Sequence, residues 1–357
     1  MAVKPYKMAL AGVAATGMIA LTACGEAPDE DGGGDDTEAS FHACMVTDSG
    51  GVDDKSFNES SWNGMVAAEE ANPDIEVSYK ESSNEADFDP NLLASVDDGC
   101  DFIVGVGGLM TENVTAIAED NPDLAFASVD GVSDAPNAYS IEFDTAQSAF
   151  LAGYLAAAQT ESGTVATWGG IQIPAVTIFM DGFADGIDHH NEAKDTDVKL
   201  LGWDVEKQEG SFLNSFEDTA GGKSLTETFI SQGADIIMPV AGPAGTGAVT
   251  AAAETDDVAA IWVDVDGCES LAEYCSVLLT SVEKNLALSV KEAVLAAYDG
   301  TVGGEYIGTL ENDGVSLAPY HEFEDAVSDE TKEEIEELKA GIIDGSITVE
   351  SPASPGA

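Results

Sequence analysis

Basic residues are scarce in this chain: twelve Lys and Arg stand against sixty-eight Asp and Glu, for a formal net charge of −56. Nothing in such a composition offsets phosphate repulsion, so nucleic acid is excluded as a partner. The charge reads as a solvated acidic surface suited to high salt rather than a site for a specific cationic partner. Long apolar runs are absent after residue 21, so no later segment is expected to cross a bilayer. The four histidines are scattered and no G-x-S-x-G elbow occurs, which leaves neither an evident general base nor a hydrolase nucleophile. His189-His190 lacks partners at i+4 and reads as a solvated helix face rather than a metal site. Ala220-Gly221-Gly222-Lys223-Ser224 imitates a phosphate loop, but Glu217 stands where the Walker pattern needs Gly, so it reads as a helix start. Gly105-Val106-Gly107-Gly108 lacks the spacing of a dinucleotide fingerprint. No catalysis, cofactor or metal is expected.

The front end is of another kind. Lys4 and Lys7 precede an apolar stretch from Met8 to Leu21, and small residues then lead to a cysteine (Leu21-Thr22-Ala23-Cys24). This is a secretion signal over 1–23, too short for a spanning helix. It resembles a bacterial lipoprotein signal, which implies lipidation of Cys24 and a cell-membrane, extracytoplasmic location. Losing the signal makes the chain two charges more negative. Residues 24–40, rich in Gly, Asp and Glu, are expected to form a disordered tether. With Cys24 set aside, four of the five cysteines remain, an even number that suggests disulfides in a secreted protein. Cys268 and Cys275 share a polar loop. Cys44 and Cys100 each open an apolar run, and adjacent strands would bring them together. Neither pair has C-x-x-C spacing, so zinc is not expected.

The body of roughly 310 residues exceeds what one core serves, so two lobes are expected. Short apolar runs at 42–47, 75–80, 101–106, 124–129, 138–143, 163–168, 198–203, 235–240, 259–264 and 277–281 alternate with helical patterns. The helices are expected at 57–71, 89–98, 111–120, 145–160, 177–192, 220–232, 244–254, 284–299 and from Asp329 to Lys339. This is the rhythm of βαβ units and mainly parallel sheets, whose ligands sit outside the carboxyl ends of the strands. Ile347-Thr348-Val349 reads as a last short strand, and 351–357 as a frayed tail.

The loop Asp48–Asn58 carries the most. Gly50 and Gly51 allow a tight turn, and the following helix offers free N–H groups beside acceptors, an amide and the Phe57 ring. Such a loop suits a small polar ligand with a flat face. Asp53 and Asp54 read first as helix caps.

Further segments accompany it in order: Gly169-Gly170 with Ile173-Pro174, Phe179-x-x-Gly182-Phe183-x-x-Gly186, Gly210-Ser211-Phe212 through Phe216-x-Asp218, and Gln232-Gly233-Ala234-Asp235-Ile236-Ile237. The Gly242–Gly247 loop, Val263-Asp264-x-Asp266 and Leu279-Thr280-Ser281-Val282-x-Lys284-Asn285 complete the set. With these, the chain resembles the basic membrane protein family of substrate-binding lipoproteins of ABC transporters, from about residue 41 to 350. The resemblance implies a type I periplasmic-binding-protein fold, with two doubly wound parallel α/β lobes and three crossovers. The lobes would be 41–142 plus 281–312 and 143–280 plus 313–350.

The same resemblance implies a purine nucleoside held between Phe57 and Phe216, with Phe212, one turn away, as the alternative second ring. Asp48 would read the base, and Asp264 and Lys284 would hold the ribose. Asn58, Gly107, Asp130 and Gly242 are weaker carry-overs. Pro243 and the two-cysteine segment at 268–275 depart from the family and leave the preferred base open. The implied protein is a non-enzymatic monomer that delivers nucleoside to an ABC permease. Two other readings stand beside it: a receptor for another small polar ligand such as a sugar, and a surface signalling protein without transport.

Overall fold

The structure is a computed structural model that describes residues 40–356; the signal segment, Cys24 and the tether up to residue 39 lie outside the described residues. Among the described residues no helix is long and apolar enough to cross a membrane.

Strands β1 (Phe41–Val46), β2 (Ile75–Lys80), β3 (Phe102–Val106), β4 (Ala125–Val129) and β5 (Ala138–Phe143) alternate with α1 (Phe57–Ala71), α2 (Phe88–Asp97) and α3 (Thr111–Asp120). They pair in parallel in the order β5-β4-β3-β1-β2. β3 and β4 are buried at every residue, as central strands covered on both faces require, whereas the edge strand β2 is half exposed.

The chain then crosses to a second sheet. Its elements are α4 (Thr145–Gln159), β6 (Thr164–Gly169), α5 (Pro174–Lys194), β7 (Lys199–Leu201), a small hairpin β8 (Trp203–Asp204) and β9 (Glu209–Gly210), and α6 (Thr219–Ser231). β10 (Ile236–Val240), α7 (Thr246–Ala253), β11 (Ala259–Asp264), the single turn α8 (Gly267–Ser270) and β12 (Leu278–Lys284) follow. The sheet order β12-β11-β10-β6-β7 is parallel throughout. After Lys284 the chain returns as α9 (Leu286–Tyr298) and β13 (Gly304–Gly308), which joins β5 in parallel. A third crossing leads to β14 (Val315–Leu317), antiparallel to β12, and then to α10 (Asp329–Ile343). The crossings are bound to one another: Asp144 N donates to Gly308 O at 2.8 Å, and Asn285 N to Gly314 O at 2.9 Å.

Helices α4 and α5 approach closely because they carry glycines at the contact. A Cβ at Gly182 would run into the backbone of Ala146, and one at Gly186 into the Phe150 carbonyl. The Phe179-x-x-Gly182-Phe183-x-x-Gly186 motif is thus a helix-packing device. Both expected disulfides are present, Cys44–Cys100 and Cys268–Cys275, with Cα atoms 5.9 and 4.6 Å apart.

Several expectations need correction. The run 198–203 is broken at Gly202 (φ +89°), which turns Trp203 out of the sheet to pair with Gly210. Ile347–Val349 is not a strand: Ile347 N caps the end of α10 on Gly341 O at 2.9 Å and its side chain packs on the core. The tail is docked as far as Ser354, not frayed, because buried Asp181 and half-buried Asp144 accept from the Ser351 and Ser354 hydroxyls at 2.6 and 3.0 Å. His189-His190 is no solvated face: His190 is buried edge-on against Tyr154, and burial pushes its pKa down. Strands β13 and β14 escaped the sequence reading, since one is glycine-bounded and half exposed and the other only three residues long.

Candidate functional site

The loops leaving the carboxyl ends of the central strands converge on one cavity between the two sheets. The first sheet's strands and loops contribute Asp48, Phe57, Gly107 and Asp130, and the second sheet's contribute Phe216, Gly242, Asp264 and Lys284. Of the residues singled out from sequence as ligand contacts, only Asn58 stands back from the wall, 1 % exposed behind Asp48.

Asp48 follows β1 directly. Asn58 Nδ2 donates to its Oδ1 at 2.9 Å, and Gly107 (φ +116°) leaves room for its other oxygen, where a Cβ would sit only 2.5 Å away. Burial pushes the Asp48 pKa up to about 7, the Asn58 hydrogen bond opposes this, and the charges of Asp54, Asp130 and Asp264 add to it. Asp54 caps α1, accepting from the N–H groups of Ser56, Asn58 and Glu59 at 2.9–3.0 Å. Asp53 is exposed and takes no part in the cap. Asp54 also lines the cavity, and burial raises its pKa.

Asp130 and Asp264 occupy equivalent places in the two lobes, at the ends of β4 and β11. Both adopt left-handed backbone, with φ of 62° and 71°, a conformation that Asp tolerates better than most residues. Lys284, the last residue of β12, is 5 % exposed and stands between them. Its Nζ donates to Asp130 Oδ2 at 2.5 Å and lies 3.8 Å from Asp264 Oδ1. Burial raises the Asp130 pKa, and the Lys284 ammonium pulls against that. Three rings surround the ammonium, those of Phe179, Phe57 and Phe143, with centroids 5.0, 5.3 and 5.8 Å away.

Gly169 and Gly170 carry one ring each. A Cβ on Gly170 would strike Phe216, and one on Gly169 would strike Phe212. Only Phe216 faces the cavity, while Phe212 packs edge-on against Trp203, centroids 6.0 Å apart. Ile173, Val176 and Phe179 complete an apolar wall that sequence reasoning did not assign to the site. Also missed is a bridge between lobes, in which Ser56 Oγ donates to Asp264 Oδ2 at 2.7 Å. The partners are 208 residues apart in sequence, and no local signal announces the pairing.

Two other clusters gather potential metal ligands, His42-Cys44-Cys100 and Asp266-Cys268-His321. Their cysteines are committed to the disulfides, which removes the thiolates a soft metal would need. The Lys223 of the phosphate-loop imitation lies in the first turns of α6, capped by Asp218, and pairs with Glu254 at 2.6 Å.

Residues 41–352 match a family described as ABC transporter substrate-binding protein, PnrA-like. The chain is 30 % identical to a CD4+ T-cell-stimulating antigen of Listeria innocua, across 97 % of this chain and 98 % of that protein. It is also 30 % identical to the ABC transporter nucleoside-binding protein BmpA of Lactococcus lactis, across 98 % and 99 %. Among solved structures, an ABC transporter solute-binding protein from Aeropyrum pernix superposes with a TM-score of 0.77 at 23 % identity, covering 87 % of this chain and 94 % of that one. A solute-binding protein from Bacillus halodurans with bound myo-inositol gives 0.56 at 14 % identity, covering 85 % and 99 %. At those identities the structures speak for the fold alone, the two-lobed type I arrangement of periplasmic solute-binding proteins.

Proposed function

The chain belongs to the PnrA-like family of ABC transporter substrate-binding proteins, and on that premise we propose that it captures a nucleoside, purine first, in the interlobe cavity and delivers it to an importer. One observation carries the reading: a ring and carboxylates from the first sheet's loops face a ring, a carboxylate and an ammonium from the second sheet's across a single cavity. Phe57 and Phe216 supply two aromatic faces for a base. Asp48 is placed to accept from base N–H groups. Asp264 accepts from vicinal hydroxyls and Lys284 donates to ribose oxygens. Asn58 and Gly107 set Asp48, Asp130 sets Lys284, and Gly242 (φ +49°) brings backbone to the cavity edge without a Cβ. Among the described residues, Asp48, Asp54, Asp130 and Asp264 line the wall with Lys284 as the one cation there, so a neutral nucleoside suits the site and a nucleotide's phosphate would be repelled.

The lobes are taken as the two sheet-centred bodies, with closure about the three crossings trapping the ligand. Lipidation at Cys24, a monomeric state, the absence of catalysis and delivery to a permease complete the proposal. The test is mass spectrometry of ligand released on denaturing the purified protein, followed by titration with guanosine, inosine and adenosine. A nucleoside released, with micromolar or tighter binding that Phe216→Ala weakens roughly 5- to 150-fold and Phe212→Ala does not, supports it. A sugar released, or no binding below millimolar, overturns it.

A further inference from the structure

A serine at the N-cap position ordinarily spends its hydroxyl on the free N–H groups of its own helix. Ser56 holds that position before α1, yet its side chain caps nothing. The capping is done two residues earlier, by Asp54, whose carboxylate takes the N–H groups of Ser56, Asn58 and Glu59. The Ser56 hydroxyl is thereby released, and it crosses the interlobe boundary to Asp264 Oδ2 at 2.7 Å. Both partners are buried, Ser56 wholly and Asp264 to 7 % exposure. The bond joins a helix start of the first sheet's lobe to a strand end of the second's, so it exists only while the lobes are together.

Its effect on Asp264 is directional. With Oδ2 engaged by Ser56, Oδ1 is the oxygen left toward Lys284, 3.8 Å away, and toward the cavity that Asp264 lines. The left-handed backbone at Asp264 (φ 71°) fixes where the carboxylate begins, and the hydroxyl fixes how it is turned. We propose that Ser56 is a positioning residue that couples lobe closure to the orientation of Asp264, with Asp54 enabling it by taking over the helix cap. The closure half of this statement stands on the geometry alone, and the ligand half rests on the nucleoside reading above.

The experiment uses the full chain with spin labels at Glu119→Cys in α3 and Thr228→Cys in α6, one on each lobe, read by double electron–electron resonance. Ser56→Ala is expected to lower the ratio of near to far interlobe distances about tenfold, as loss of a hydrogen bond to a charged group implies, and Ser56→Thr to restore it. In parallel, guanosine dissociation is timed by stopped flow. Ser56→Ala should speed it about tenfold with the association rate changed less than threefold, and should lose that effect in an Asp264→Asn background. Circular dichroism of the helices is expected to be unchanged, because Asp54 remains to cap α1. Unaltered distances in Ser56→Ala overturn the proposal, as do Ser56→Ala and Asp264→Asn effects that multiply independently. Altered distances in a protein that binds no nucleoside support the coupling and count against the nucleoside reading instead.

Discussion

Lys284 donates to Asp130 at 2.5 Å, and that bond ties the end of β12 in one sheet to the turn after β4 in the other. Both side chains are nearly inaccessible, 3 % and 8 % exposed. Removing one member of a buried pair leaves an uncompensated charge, which costs about 3–5 kcal/mol, whereas replacing both by apolar groups is often close to neutral. Lys284→Met should therefore lower unfolding stability by about that amount in a denaturant titration. Lys284→Met with Asp130→Leu should recover most of it, and neither variant should bind a nucleoside. A single variant as stable as the parent would show that the pair contributes nothing to holding the lobes together.

Asp48 titrates near 7 in the fold against 3.8 when free, chiefly because it is buried. For an acid raised on folding, the cost of ionising it is absent below the free value and complete above the folded one. This group's contribution to stability accordingly falls as pH rises from about 4 to about 7. Ligand binding should move the other way. An ionised Asp48 accepts from a base N–H, so guanosine affinity should be flat above pH 7.5 and drop by up to about tenfold per unit below 7. Calorimetric titration from pH 5.5 to 8.5 checks this, and Asp48→Asn should flatten the profile.

The acidic surplus predicts a salt requirement. Several lysines near the surface are already paired, as in Lys80–Asp98 and Lys332–Glu324 at 2.6 and 2.7 Å, and such pairs contribute about 0–1 kcal/mol each. They cannot offset a net charge of −56. Screening can, since the Debye length falls from about 10 Å at 0.1 M salt to about 3 Å at 1 M. The melting temperature should rise steeply with NaCl or KCl toward molar concentrations, and sucrose at matched osmolarity should not reproduce the gain. A flat response would show that the acidic surface is indifferent to salt.

Most of the scaffold was legible in the sequence because it is written locally. Apolar runs such as 102–106 and 236–240 become wholly buried parallel strands, and Asp54 before Phe57 signals the helix it caps. The convergence of Asp48, Asp130, Asp264 and Lys284 was legible only through strand ends, the places where parallel sheets present their loops. What stayed hidden depends on contacts between distant segments. Whether Phe212 or Phe216 faces the cavity is decided by which glycine lies beneath each ring. The Ser56–Asp264 bridge and the docked tail likewise join residues well over a hundred positions apart.

That tail offers a further measurement. Composition made the tail 351–357 look frayed, yet Ser351 Oγ donates to Asp181 Oδ2 at 2.6 Å. Asp181 is fully buried, and its other oxygen accepts from Trp203 Nε1 and Gln208 Nε2 at 2.9 and 2.8 Å. Losing the serine hydroxyl leaves half of a buried carboxylate unsatisfied, at a cost of about 1–3 kcal/mol. Beyond Ser351, Ala353 and Pro355 wall a second space that shares Asp130, Gly108 and Ala175 with the ligand cavity. The two roles are separable. Ser351→Ala should reduce stability without changing the rate of ligand loss, because the wall remains. Ending the chain at Glu350 should reduce stability by at least as much and also speed ligand loss severalfold, by opening a second way out. Equal denaturation midpoints for the full and shortened chains would mean that the tail is not held against Asp181 in solution.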